Sequence, residues 1–289
     1  MEEYDKSREA FEKAAELRCE WGYLGLGDAY RYGYGVEQDG EKALECYEKA
    51  IVQGFYEGYL YLGWTYYDGE VVGQDYAKAM EYFEKAGDAG EGRGYLNIGW
   101  MYEKGNGVDQ NVDEAITWYE KAGKAVDGIG YRNIGWMYYN GEIVGQDYEK
   151  AMEYFEKAGD TGDAVGYRLV GWMYDYGIGV AQDKDMAISW YAKGTDMGDD
   201  ASYNNMGFIY YEKGDREKAV EYFEKAMSLG NSSAFSNMGF LYEVLDADYE
   251  KAFEWYEKAA ERGNETAIEN IRKLVNSGKI SAKKAAKWL

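Results

Sequence analysis

Histidine and proline are both absent from this 289-residue chain, and cysteine occurs only twice. Without histidine there is no Ser-His-Asp triad, no imidazole metal ligand and no imidazole acid–base step. Cys19 and Cys46 are too few for a disulfide framework. Cys46 stands where later segments carry Tyr82, Trp118, Tyr154 and Trp190, so it is expected to be a reduced core residue. No apolar run approaches the roughly 18 residues needed to span a bilayer. Residues 1–5 lack the basic-then-apolar order of a signal peptide. A cytoplasmic protein without membrane contact is therefore expected. Basic residues are scarce, 32 Lys and Arg against 54 Asp and Glu, and the net charge of −22 argues against a nucleic-acid partner. That surplus either serves solubility or attracts a basic partner.

What the chain has in abundance is tyrosine, 32 residues of it, and one phrase written repeatedly. The phrase is clearest over residues 94–122, GYLNIGWMYEKGNGVDQNVDEAITWYEKA. Gly27, Gly63, Gly99, Gly135, Gly171 and Gly207 lie at intervals of 36 residues. Phe11, Tyr47, Phe83, Tyr119, Phe155 and Tyr191 keep the same period. A fixed period of this size marks a stacked array in which each unit packs on its neighbours. Each unit opens with a helix carrying apolar residues at helical spacing, such as Tyr59, Leu62, Gly63 and Tyr66. A glycine loop ends it. Asp39, Asp75, Asp147 and Asp183 then stand as N-caps of a second helix that carries Ala43, Ala79, Ala115, Ala151 and Ala187. In the second and fourth units Val71 and Ile143 replace the loop glycine found as Gly35 and Gly107. This alternation, 72 residues apart, suggests a duplicated two-unit block. From Gly207 to Gly239 the spacing shortens to 32, the loss falling in the loop. Residues 272–289 hold six basic residues and no acidic one, which reads either as a C-terminal cap or as a basic docking tail.

Tyr95, Ile98, Gly99 and Tyr102, followed by Ala115 and Tyr119, resemble the tetratricopeptide order of aromatic, Leu-Gly, Tyr, Ala and aromatic. The longer GxGVxQD loop followed by KA and YEKA is similar to the Sel1-like subgroup of that superfamily. The usual loop proline is missing, and a position often Ala is Gly58, Gly94, Gly130 and Gly166, departures expected to loosen the fold. The resemblance implies an all-α fold, an α/α right-handed superhelical solenoid of about seven helix-turn-helix repeats. It would form a single domain over residues 1–289: an N-terminal capping helix over 1–18, repeats over 19–262 and C-terminal capping helices over 263–289. It also implies an adaptor or scaffold whose first helices line a concave groove.

By that geometry the residue after each periodic glycine faces the groove: Asp28, Trp64, Trp100, Trp136, Trp172, Phe208 and Phe240. Rungs on the order of 10 Å apart would form an aromatic ladder. One turn upstream lie Leu60, Leu96, Arg132 and Arg168, and downstream Tyr67, Glu103, Tyr139 and Asp175. The Trp residues either pack as core between helices or form a binding stripe, since Trp and Arg are common hot spots. Arg132 and Arg168 either meet a partner's carboxylate or neutralise Asp175 and Glu103. The candidate partner-binding set is Trp64, Trp100, Trp136, Trp172, Phe208, Arg132, Arg168, Tyr67 and Tyr139. No catalytic residue, metal site or cofactor is expected. Residues 90–94, GEGRG, lack the Lys-Ser/Thr of a P-loop. Asp246, Asp248 and Glu250 resemble a calcium loop, but Lys251 replaces its glycine and the stretch aligns with a helix start.

The leading expectation is a monomeric, non-catalytic scaffold that holds a peptide or partner protein, a basic one included, in an aromatic groove. The alternative is an acidic immunity-type inhibitor of a basic enzyme or toxin. A third reading is a carbohydrate-binding or glycosidase groove of Trp and Asp.

Overall fold

A computed structural model describes residues 11, 13, 14, 20–125 and 128–289. The capping helix expected over 1–18 and Cys19 fall largely or wholly outside the described residues. Among those described, the chain is all-helical, with fifteen α-helices and one 3₁₀ turn, and no helix is long and apolar enough to cross a membrane.

Two compact units form, Met1–Asp163 and Ala164–Leu289. The first holds α1 (Glu20–Tyr32), α2 (Gly40–Val52), α3 (Gly58–Asp68), α4 (Tyr76–Asp88), α5 (Arg93–Lys104), α6 (Val112–Ala125), α7 (Ile129–Asn140) and α8 (Tyr148–Asp160). The second holds α9 (Ala164–Tyr176), α10 (Lys184–Asp196), α11 (Asp200–Glu212), α12 (Arg216–Ser228), α13 (Ser232–Val244), α14 (Tyr249–Ala260) and α15 (Glu265–Asn276), then a 3₁₀ turn at Ala286–Trp288. Within each unit every helix packs on the next, so the core runs as a line of helical pairs.

The periodic glycine has a steric cause. A Cβ at Gly99 would stand 2.6 Å from the Tyr119 ring, and one at Gly63 would stand 2.5 Å from the Phe83 ring. The first helix can therefore cross the second only where it has no side chain, and the aromatic ring fills the space. The departures at Gly94 and Gly130 do not loosen the packing, contrary to the expectation from the sequence. A Cβ there would lie 2.0 Å from the Phe83 carbonyl oxygen and 1.9 Å from that of Tyr119, so the backbones themselves touch.

The loop motif also has a mechanism. Gln74, Gln110, Gln146 and Gln182 donate through Nε2 to the carbonyls of Tyr67, Glu103, Tyr139 and Asp175 at 2.7–3.0 Å. These bonds satisfy carbonyls that the end of the first helix leaves open. The following Asp caps the second helix: Asp39, Asp75 and Asp147 accept from backbone N–H groups three residues on, each at 3.0 Å. Asp183 accepts from two. The loops alternate as expected, with paired left-handed glycines at Gly33 and Gly35, Gly105 and Gly107, and Gly177 and Gly179, against single ones at Gly69 and Gly141. Asp248 caps α14 through the Lys251 N–H, so the calcium-like stretch is a helix start.

Cys46 is buried with no disulfide, and burial pushes its thiol up to about 11. At the C-terminus Lys284 pairs with Glu250, Lys287 with Glu261 at 2.9 Å, and Lys279 sits over the Tyr249 ring. These contacts fold the basic segment onto the last repeat, as a cap does.

Candidate functional site

The odd-numbered first helices α3, α5, α7, α9, α11 and α13 each present an aromatic after the periodic glycine. Trp64, Trp100, Trp136, Trp172, Phe208 and Phe240 are all half-buried, neither sealed in the core nor fully exposed. Trp64 and Trp136 lean against their own repeats, while Trp100 leans on Tyr67 of the repeat before it, 5.6 Å away. Trp64 meets Phe83 edge-on at 5.2 Å and Tyr67 at 5.3 Å; Trp136 meets Phe155 at 5.3 Å and Tyr139 at 5.2 Å. In these repeats Tyr67 and Tyr139 also take Tyr76 and Tyr148 on their edges. At Trp64 and Trp100 the rings are 6.2 Å apart, closer than the expected helix spacing.

Repeats of the other kind replace the tyrosine one turn below the aromatic with a carboxylate, and the phenylalanine of the second helix with tyrosine. Tyr119 donates its hydroxyl to Glu103 at 2.7 Å and Tyr256 to Glu243 at 2.7 Å. In the first repeat Tyr47 donates to Asp28 at 2.7 Å. Burial and the adjoining carboxylate push these phenols far above their ordinary range. Burial likewise raises the Asp28 carboxyl. The two residue types change together because a buried hydroxyl needs an acceptor and a buried phenylalanine does not.

Clefts open beside these aromatics in each unit. One in the first unit lies between α3 and α5, lined by Glu57, Leu60, Tyr61, Trp64, Arg93, Leu96 and Asn97. A second lies between α5 and α7, lined by Trp100, Glu103, Lys104, Tyr119, Asn133 and Trp136 among others. A third, in the second unit, is lined by Trp172, Asp175, Tyr176, Tyr191, Asn204, Asn205, Phe208 and Asn237. The second and third are built from matching positions 72 residues apart. The structure thus brings the aromatic candidates to cleft walls.

The arginines are engaged elsewhere. Arg132 pairs with Asp163 at 3.1 Å and Arg168 with Asp199 at 3.1 Å, each carboxylate being the one that opens the following repeat. Asp163 is buried and Asp199 partly buried, and these pairs, each 31 residues apart, do not neutralise Glu103 or Asp175. The sequence reading missed Arg31, which is buried and reaches Asp68, and the asparagines two residues before Gly99, Gly135, Gly207 and Gly239. The recurrence of Asn97, Asn133 and Asn205 at spacings of 36 and 72 was the available signal.

Outward aromatic stacks recur with the same two-repeat rhythm. Tyr66 stacks on Tyr82 at 5.7 Å, Tyr138 on Tyr154 at 5.9 Å and Tyr210 on Tyr222 at 5.3 Å, with Lys78, Lys150 and Lys218 over the first ring of each pair. In the alternate repeats Lys121 and Lys193 lie over Trp118 and Trp190 at 3.8 and 3.7 Å. Tyrosine abundance is therefore spent on stacks braced by lysine stems and ammonium groups.

Comparison with known proteins agrees with this architecture. A search of curated proteins finds no match. Among solved structures, a protective antigen of uropathogenic Escherichia coli with an SLR fold is 30% identical, with a TM-score of 0.61 over 97% of this chain. The chain spans 62% of that antigen's length. A Sel1 repeat protein from Oxalobacter formigenes is 26% identical, with a TM-score of 0.56, over 82% of this chain and 99% of that one. Yeast Tom70, at 18% identity and a TM-score of 0.57 over 99% of this chain and 63% of its own, shares the fold. The Sel1 repeat model matches residues 22–55, 57–91, 92–127, 129–163, 164–199 and 236–264, and a tetratricopeptide repeat model matches 200–229. The chain belongs to the Sel1 repeat family, within the tetratricopeptide superfamily.

Proposed function

We propose that this protein is a non-catalytic, monomeric interaction scaffold that docks a peptide or a partner protein on the face carrying Trp64, Trp100, Trp136, Trp172 and Phe208. Repeat proteins of this fold are suited to protein interaction, because stacked first helices offer an extended surface. The observation that carries the reading is the state of those rings: they are half-buried and line clefts, while the core is already filled by Phe83, Tyr119, Phe155 and Tyr191. Aromatics held rigid by edge contacts lose little entropy when a partner covers them, which makes them efficient anchors. Tyr67 and Tyr139 buttress the indoles, and Arg132 and Arg168 set the helix they stand on. A cytoplasmic setting fits the unbridged Cys46.

The test is affinity capture with the full-length chain and with Trp100→Ala, Trp136→Ala and Trp172→Ala combined. Capture should disappear while helical content by circular dichroism stays. A variant that keeps its partner, or that loses its helices, would remove the basis for a docking face.

A further inference from the structure

The two matching clefts differ in what surrounds the carboxylate. In the first unit the carboxylate already holds a cation: Lys104 Nζ lies 2.5 Å from Glu103, and the Tyr119 hydroxyl donates to the same side chain. In the second unit Tyr176 stands in place of that lysine and is 64% exposed. Among the described residues the Asp175 carboxylate has no hydrogen bond and no ion pair; only its backbone carbonyl is held, by Gln182 at 2.7 Å. Lys184, whose charge reaches Asp175, is itself paired with Glu212. The Tyr191 side chain is fully buried beneath the cleft, and its hydroxyl faces the Asn205 side chain where Tyr119 has a carboxylate. A half-buried carboxylate without an ion-pair partner thus stands in the wall of a cavity of about 250 Å³.

We infer that this cleft receives a lysine or arginine side chain from a basic segment of the partner, in the place that Lys104 fills internally in the first unit. The inference rests on the docking reading above and names what one cleft takes. Trp172, Tyr176 and Phe208 wall it with aromatic faces, which favour an alkyl stem and a cationic head together. Asp175 supplies the opposite charge and accepts from an ammonium or guanidinium N–H. A half-buried carboxylate beside aromatic rings is costly until a cation arrives, so the pocket is selective for charge as well as shape. The net charge of −22 draws basic segments towards the molecule.

The test titrates the full-length protein with the N-acetyl amides of lysine, arginine, norleucine and glutamate, following the Trp172 indole N–H by NMR. That signal is assigned from its loss in Trp172→Phe. The lysine and arginine amides should shift it saturably, with norleucine and glutamate weaker by about tenfold or more. Asp175→Asn should weaken the cations to the norleucine level. So should Tyr176→Lys, which supplies an internal cation at an exposed site and leaves the fold alone. Equal binding of norleucine would reduce the cleft to an apolar slot, and preferred binding of glutamate would assign it to the asparagine amides; either overturns the inference. So does an indole unmoved by any cation. If the amides fail while partner capture still depends on the tryptophans, the docking reading stands and only this occupant is lost.

Discussion

At Gly99 two effects of opposite sign meet. Alanine in a helix interior is favoured over glycine by roughly 1 kcal/mol. Here, though, its methyl would stand 2.6 Å from the ring of Tyr119, a fully buried side chain with nowhere to move. Overpacking costs about 1–3 kcal/mol or more, so Gly99→Ala should destabilise the chain by urea denaturation. Gly73→Ala, where nothing lies within 4 Å, should change stability by less than about 0.5 kcal/mol. Arg132→Ala makes a different demand, since it takes the cation away from Asp163, whose side chain is only 8% exposed. A loss of about 1–3 kcal/mol follows, smaller than for a fully buried pair because Arg132 itself is partly solvated. Asp175 should behave in the opposite way. Burial holds its carboxyl above the ordinary value, with Lys184 opposing and Glu212 assisting. The native state therefore keeps that proton to higher pH than the unfolded chain, and stability falls as pH rises from the ordinary carboxylate range through the raised value. Asp175→Asn removes this term, so at neutral pH the variant should be as stable as the parent or slightly more so. A residue whose removal costs no stability is held for another purpose.

Helical elements here are set by short-range rules, which is why they were legible. The period-36 glycine, the Gln-Asp pair and the loop glycines each report a local requirement: a close crossing, a carbonyl to satisfy, a cap, a left-handed turn. Asp147→Ala should accordingly cost about 1 kcal/mol by removing the acceptor for the Lys150 N–H. The fate of the arginines was not legible, because it depends on which of several acids lies nearest across a repeat boundary. Arg132 finds Asp163, 31 residues on, and no spacing rule distinguishes that acid from Glu103. The indoles were undecided for a similar reason. A half-buried ring satisfies both a core pattern and a surface pattern, and only the clefts separate them. The alternation of Tyr119 with Glu103 against Phe155 with Tyr139 was on the page, but its meaning needed the hydroxyl's acceptor to be seen. It carries its own expectation. Phe155→Tyr would place a phenol where no carboxylate waits, and the unsatisfied hydroxyl should cost about 1–3 kcal/mol; Tyr139→Glu in the same chain should recover part of that loss.

Across the whole molecule the dominant long-range term is charge. Many cations are already engaged: Lys49, Lys85 and Lys225 pair one turn back with Glu45, Glu81 and Glu221, and the C-terminal lysines reach Glu250 and Glu261. Exposed pairs of this sort contribute about 0–1 kcal/mol each and do not cancel a net charge of −22. The excess carboxylates repel one another along stacked helices in which each repeat touches only its neighbours. Salt should therefore stabilise the fold. Raising ionic strength from about 0.01 M to about 1 M shortens the screening length from about 30 Å to about 3 Å, which removes most of the repulsion and only a small attraction. Thermal melts across that range should show a rising midpoint. Binding of a basic segment should move the other way, weakening steeply with salt because the same screening removes the attraction that draws it in. The two slopes of opposite sign separate a charge kept for recognition from one kept only for solubility. If salt left both the melt and the association unchanged, the acidic surface would be locally neutralised, and it could neither strain the fold nor select a basic partner.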